Sequence, residues 1–215
     1  MKKNTTFMLT LLCLLLALYS CENAPNQENN TTENNTEVPA DNTTDAPPAP
    51  SLDYTLEAKR AGDFAIGTPI TPTAEEKGYT IEKRSKMMEG SEEPYYIISG
   101  EGEALLQVTP QYNMETEGYD DVVGRMVVIS SRYKMPNGLG VGSSIEEVQQ
   151  AYGDTRFLYS NVGDLYILET PQVPVQFLLR ETDFVGAGKK MEGESSVLQA
   201  ADFKAGSKVS GIRMF

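Results

Sequence analysis

Histidine and tryptophan are absent from this 215-residue chain, and its two cysteines, Cys13 and Cys21, both lie near the amino terminus. Without histidine the commonest general base and the commonest zinc ligand are missing. With both cysteines confined to that end, a folded portion further along holds no thiol, which excludes disulfides, thiolate nucleophiles and cysteine metal sites. No metal or cofactor site is therefore expected. The longest apolar run, about a dozen residues beginning at Phe7, is short of the ~20 that a spanning helix needs. Basic excess is lacking too. Residues 51–215 carry 25 acids against 16 lysines and arginines, which argues against nucleic acid as a partner and against direct docking on anionic headgroups.

What is present begins with "MKK", the apolar run "FMLTLLCLLLAL" and then "YSC", the order of a secretory signal peptide over residues 1–20. "LYSC" resembles the bacterial lipobox. The resemblance implies cleavage between Ser20 and Cys21 and a diacylglycerol on the Cys21 thiol, so that Cys13 leaves with the signal. Acyl chains bury at ~0.8 kcal/mol per methylene, so two or three of them anchor a protein without a spanning segment. Glu22 follows the cysteine instead of the aspartate associated with inner-membrane retention, which points to the outer membrane. The expected localisation is the cell envelope, with the membrane as a partner through the N-terminal lipid.

Residues 21–50 read as the lipidated cysteine and a disordered tether. After Cys21 this segment is dominated by Asn, Thr, Glu and Pro, with Val38 its one large apolar residue. It cannot bury enough surface to offset chain entropy, and its six acids, unaccompanied by any base, extend it by self-repulsion.

Internal similarity organises the remainder. "FAIGTPITPTAEEKGYT" (64–80) lies against "LGVGSSIEEVQQAYGDT" (139–155): Gly67 matches Gly142, Ile70 matches Ile145, and Gly78 matches Gly153. Downstream, "YYIIS" and "EALLQV" match "LYILE" and "VPVQFLL", and "GRMVVIS" matches "SGIRMF". The expected fold is α+β, in two tandem related modules over 51–135 and 136–215. Each has a short helix packed on one face of an antiparallel sheet of about three to four strands. Whether the modules share one sheet is left open. In the second copy the helix is expected over about Ile145 to Tyr152, capped by Ser143 or Ser144, with Glu146 or Glu147 completing a capping box and Gly153 as the stop. Ile145, Val148 and Tyr152 fall on one face. In the first copy Thr71 or Thr73 is the expected cap, Pro72 suits the first turn and Gly78 ends the helix.

The glycines at 138, 140 and 142 suggest a phosphate loop, yet no lysine follows Gly142, as a Walker loop requires, and the third glycine is one place too early for a dinucleotide fingerprint. Glu146 and Glu147 would also complement the helix dipole themselves and repel a phosphate. Gly67, Gly78, Gly142, Ser144, Glu147 and Gly153 are accordingly turn and cap positions. "GSSIEEVQQAYG", with Gly142, Val148 and Gly153, resembles the helix motif of small outer-membrane lipoproteins of the β-barrel assembly machinery (SmpA/OmlA type). The duplication is similar to the tandem modules of β-lactamase inhibitory proteins, whose concave sheet face grips a partner. Closest of all look lipoproteins of unknown function with such a glycine-rich stretch. These resemblances imply a binding role. Thr155 stands where the assembly family usually has proline, and the inhibitor modules carry disulfides that this chain cannot form.

Other clusters have bland readings. "ETEGYDD" (115–121) lacks the spacing of a calcium loop and reads as a solvated acidic loop. The tyrosines read mainly as sheet packing, and "GAGKKMEGESS" (186–196) as a surface loop. The expected function is a non-catalytic envelope lipoprotein that binds a protein or cell-wall partner. The alternative is a carboxylate-dependent hydrolase acting on envelope glycans, which would need two of Glu115, Asp120, Asp121 and Glu169 to converge across a cleft.

Overall fold

The computed structural model describes residues 51–88, 90–186 and 195–215. The signal peptide, Ser20, Cys21, the tether and most of the 186–196 loop lie outside the described residues. Three two-residue strands, β1 (Leu56–Glu57), β2 (Arg60–Ala61) and β3 (Phe64–Ala65), form a small antiparallel sheet that the sequence pattern does not announce. Helix α1 (Thr71–Lys77) follows, and then four long strands: β4 (Thr80–Met88), β5 (Ser91–Gly100), β6 (Glu103–Asn113) and β7 (Gly118–Val128). Helix α2 (Ile145–Tyr152) precedes β8 (Arg156–Ser160), β9 (Leu165–Thr170), β10 (Val173–Leu179), the short β11 (Ser195–Leu198) and β12 (Val209–Met214).

All of β4 to β12 belong to one nine-stranded sheet in the order β11-β8-β9-β10-β12-β7-β6-β5-β4, with every pairing antiparallel. The question of one sheet or two is answered at its centre, where Ile212 pairs with Val128 and Met214 with Met126. Hydrophobic alternation explains why the sheet buries one face. Residues directly opposite one another in a ladder share a face, and the row Ile81, Ile98, Leu106, Val128, Ile212, Phe177, Leu168, Phe157, Leu198 crosses all nine strands. Every member from Ile98 onward is buried, in one core with Ala74 of α1 and with Ile145 and Val148 of α2.

The two helices begin differently. At α2, Ser144 Oγ accepts from the Glu147 N–H at 3.1 Å and the Glu147 carboxylate accepts from the Ser144 N–H at 2.7 Å, a reciprocal capping box. At α1 the position before the first turn is Ile70, which has no side chain to offer as a cap. Thr71 and Thr73 are not the caps expected of them. Thr71 instead donates its N–H and its hydroxyl to the Asp121 carboxylate from β7, both at 3.1 Å. Thr73 turns its hydroxyl back to the Pro69 carbonyl at 2.6 Å. Both helices stop at a glycine with positive φ, Gly78 (76°) and Gly153 (69°).

The turn before each helix docks on a later strand through the same three bonds, in the middle of β7 for the first and at the start of β12 for the second. Gly67 N–H donates to Val123 O (2.8 Å), Val123 N–H to Thr68 O (2.9 Å) and Ile70 N–H to Asp121 O (3.1 Å). Gly142 N–H donates to Val209 O (2.9 Å), Val209 N–H to Ser143 O (2.8 Å) and Ile145 N–H to Ser207 O (3.0 Å). Gly67 and Gly142 have φ of 87° and 90°, a region that an L side chain rarely enters.

Candidate functional site

The opposite face of the sheet carries a different row. One residue along from the apolar row, the ladder reads Glu82, Ile97, Gln107, Val127, Arg213, Gln176, Glu169, Arg156 across eight strands. Neither helix packs its buried residues here, since Ala74, Ile145 and Val148 all belong to the core of the first face. The side chains make a hydrogen-bonded chain instead. Arg213 Nε donates to Gln176 Oε1 at 2.7 Å, Gln176 Nε2 to Glu169 Oε1 at 2.6 Å, and the Arg156 guanidinium to Glu169 Oε2 at 2.8 Å.

A second cluster meets this chain at the centre. Arg125, opposite Thr109, lies two residues before Val127 on β7, and Val127 is opposite Arg213. The two arginines are thus diagonal neighbours on one face, with Cα atoms on the order of 7–8 Å apart. Glu93 accepts from Arg125 at 3.0 Å and pairs with Lys86 at 3.0 Å. Arg213 forms no ion pair among the described residues, and its partner Gln176 is neutral. Its guanidinium pKa is pushed down, first by burial and then by the charge of Arg125, with the charge of Glu169 opposing them. Two like charges stand side by side over an open face, Arg213 half-buried and with no carboxylate in direct contact.

The sheet is also strongly rolled. From β4 to β9 there are six strand spacings, roughly 29 Å if the sheet were flat. Yet Met88 Cε at the end of β4 lies 4.0 Å from where a Cβ on Gly163, in the β8–β9 turn, would stand. The open face is therefore concave, and its opposite ends meet over a cleft of about 290 Å³. Lys86, Arg125 and Arg213 line it with Gln107, and the remaining lining is aliphatic or thioether, including Met88, Val127 and Leu178; no carboxylate is among the lining residues.

The positions singled out by the sequence lie elsewhere. Gly67, Gly78, Gly142 and Gly153 are turns and helix stops, and Ser144 and Glu147 fill one another's hydrogen bonds at the start of α2. Of the four acids, Asp121 caps α1, Asp120 accepts from Asn113 Nδ2 at 3.0 Å in the β6–β7 hairpin, Glu115 is exposed in the turn of that hairpin, and Glu169 is tied to Arg156 and Gln176. Glu169 is thus the one that joins the concave face, as part of its hydrogen-bonded row. Among the tyrosines, Tyr133 is fully buried and Tyr159 is buried against Asp164, whereas Tyr112 and Tyr119 form an exposed edge-to-face pair at 5.3 Å.

Arg125 and Arg213 escape a motif search because no spacing marks them. The available signal is a lone cation inside an apolar strand, in "GRMVV" and "GIRMF", which alternation turns toward the uncovered face.

No protein-family model and no curated protein matches the chain. Among solved structures it is similar to the uncharacterized protein yfeY from Escherichia coli, at 13% identity and a TM-score of 0.48, over 75% of this chain and 98% of that one.

Proposed function

We propose that this chain is an envelope lipoprotein, anchored to the outer membrane through Cys21, which binds a cell-wall component or another envelope protein and performs no chemistry of its own. The observation that carries the binding role is the concave sheet face, which is uncovered by helices and bears two adjacent cationic side chains over an aliphatic cleft. Such a mixture of apolar wall and a few convergent polar groups is what ligand sites present. The sequence resemblance to the tandem inhibitory modules, whose concave sheet face grips a partner, supports a binding role. The hydrolase reading is less well supported, because a glycosidase needs two carboxyls facing each other at about 5–9 Å. Asp121 and Glu169 serve a helix cap and an ion pair in separate parts of the fold.

We also infer that residues 51–135 and 136–215 are tandem related modules. The three matching bonds from each glycine turn to a later strand support this, as does a helix followed by four antiparallel strands in each half, β4-β5-β6-β7 and β8-β9-β10-β12, the second with β11 added at its outer edge. On that correspondence Val123 is equivalent to Val209, and Val127 to Arg213, so each copy contributes one arginine to the pair, from positions that are not equivalent.

The test is affinity capture with the full chain in neutral lipid discs, against detergent-solubilised envelope and sheared cell wall. One component enriched reproducibly, and displaced by excess free chain, is the expected result. No enrichment, together with glycan hydrolysis that Glu169→Gln abolishes, would replace binding by catalysis.

A further inference from the structure

Resting on the binding reading, we propose that the concave cleft is a site for a single oxyanion, a carboxylate or phosphate group, carried on a short aliphatic arm. Charge complementarity selects the headgroup. Lys86 and Arg125 share one acid, Glu93, while Glu169 is neutralised by Arg156, so the three cations of the cleft exceed their acids. This local excess sits in a domain that is acidic as a whole. The field of the domain repels polyanionic surfaces and leaves the cleft for a small ligand.

Geometry selects the form of contact. Two guanidiniums stand on diagonal positions, Arg125 giving Nη2 to Glu93 and Arg213 giving Nε and Nη2 to Gln176; their remaining N–H groups are planar donors that match carboxylate and phosphate oxygens in a way a lysine ammonium does not. Gln176 Oε1 accepts from both Nε and Nη2 of Arg213, which fixes the plane of the guanidinium without neutralising it. Glu169 reaches Arg213 only through Gln176, and a bound oxyanion would supply the direct ion pair that Arg213 lacks among the described residues. The arm follows from the rest of the lining: Met88, Val127 and Leu178 offer apolar surface directly beside the cations. At about 290 Å³ the cleft is at the lower end of the ~300–1,000 Å³ typical of small-molecule sites, room for a headgroup and a few carbons.

The experiment is calorimetric titration of the full chain in phosphatidylcholine discs, with empty discs as the partition blank. The probes are hexyl phosphate, hexanoate, inorganic phosphate, hexanol and hexylammonium. Saturable one-site binding of hexyl phosphate or hexanoate is expected, with inorganic phosphate at least tenfold weaker and no saturable binding of hexanol or hexylammonium. Arg213→Gln and Arg125→Gln should each weaken binding at least tenfold, and Arg213→Lys less than Arg213→Gln. Thermal melts of each variant confirm that it is folded, and Arg213→Met serves as a second, apolar replacement should glutamine unfold the chain. Discs containing phosphatidylglycerol separate the sources. Undiminished probe affinity in them supports a soluble ligand, and competition supports the same site filled by a membrane lipid. Hexylammonium binding as tightly as hexanoate, no saturable binding of either anion, or affinity unchanged in folded Arg213 variants would overturn the assignment. Envelope capture by the same discs is read separately, so that loss of the anion site with capture intact removes the ligand class and leaves the binding reading standing.

Discussion

The two faces of the nine-stranded sheet are built from adjacent rows of the same strands, yet they do opposite things. One row is apolar across all nine strands and disappears under two helices. Its neighbour, one residue along, mixes charged and amide side chains with Ile97 and Val127, and neither helix covers it. The first face shows what a sheet needs in order to fold. The second shows what it can carry once folding is secured elsewhere, including a half-buried arginine beside another arginine, an arrangement that contributes little to stability and invites an anion.

Substitution separates the faces most sharply at neighbouring positions. Phe177 is fully buried on the covered face and Leu178 is half-buried on the open one. Phe177→Ala should lower unfolding free energy by about 3–5 kcal/mol, and Leu178→Ala by no more than about 2 kcal/mol. Chemical denaturation checks both, and equal losses would break the distinction between the faces. Next in size come the helix starts that cover the first face. Asp121→Ala and Ser144→Ala should each cost about 1 kcal/mol. They differ in kind, because the former also loosens α1 from β7, which hydrogen exchange at the α1 amides would detect. Smaller again, Arg213→Met should leave stability unchanged or raise it by up to about 1 kcal/mol, since it removes a desolvated like charge. A loss of several kcal/mol there would make Arg213 a structural residue.

The smallest effect concerns alkaline pH. With no histidine, no side chain has an ordinary pKa near neutrality. Tyr159 is pushed up to about 12 by its hydrogen bond to Asp164, with burial adding to the shift. Below pH 10 its phenol keeps the proton whether the chain is folded or unfolded. Between pH 10 and about 12 the unfolded chain ionises while the folded one does not, so this contribution to stability is lost as pH rises through that window. Tyr79 and Tyr133, raised chiefly by burial, act in the same direction. Tyr159→Phe should make the decline measurably shallower in melts between pH 9 and 12.

Legibility in the sequence follows the range of the interaction. The bounds of α2 can be read because its cap, apolar stripe and stop all lie between Ser144 and Gly153. The start of α1 cannot, because its cap is Asp121, 50 residues away. Strands such as β9 and β10 announce themselves by alternation, whereas β1 to β3, at two residues each, show no period at all. That the sheet is continuous depends on Met126 meeting Met214, a pairing no local signal encodes. The concave site is the extreme case. Its arginines come from two strands, and the cleft exists because the roll of the sheet brings Met88 to the β8–β9 turn. The conspicuous glycine loop, by contrast, is spent on a turn and a helix cap.

The most direct test of the open face as the functional one is a pair of thermal melts of the full chain in neutral discs, with and without hexyl phosphate, for the native protein and for Arg213→Met. A ligand that binds only the folded state raises its melting temperature in proportion to occupancy. The account predicts a concentration-dependent rise for the native chain and none for Arg213→Met, which melts at or above the native temperature without ligand. Equal rises in both, or no rise in the native chain, would contradict it.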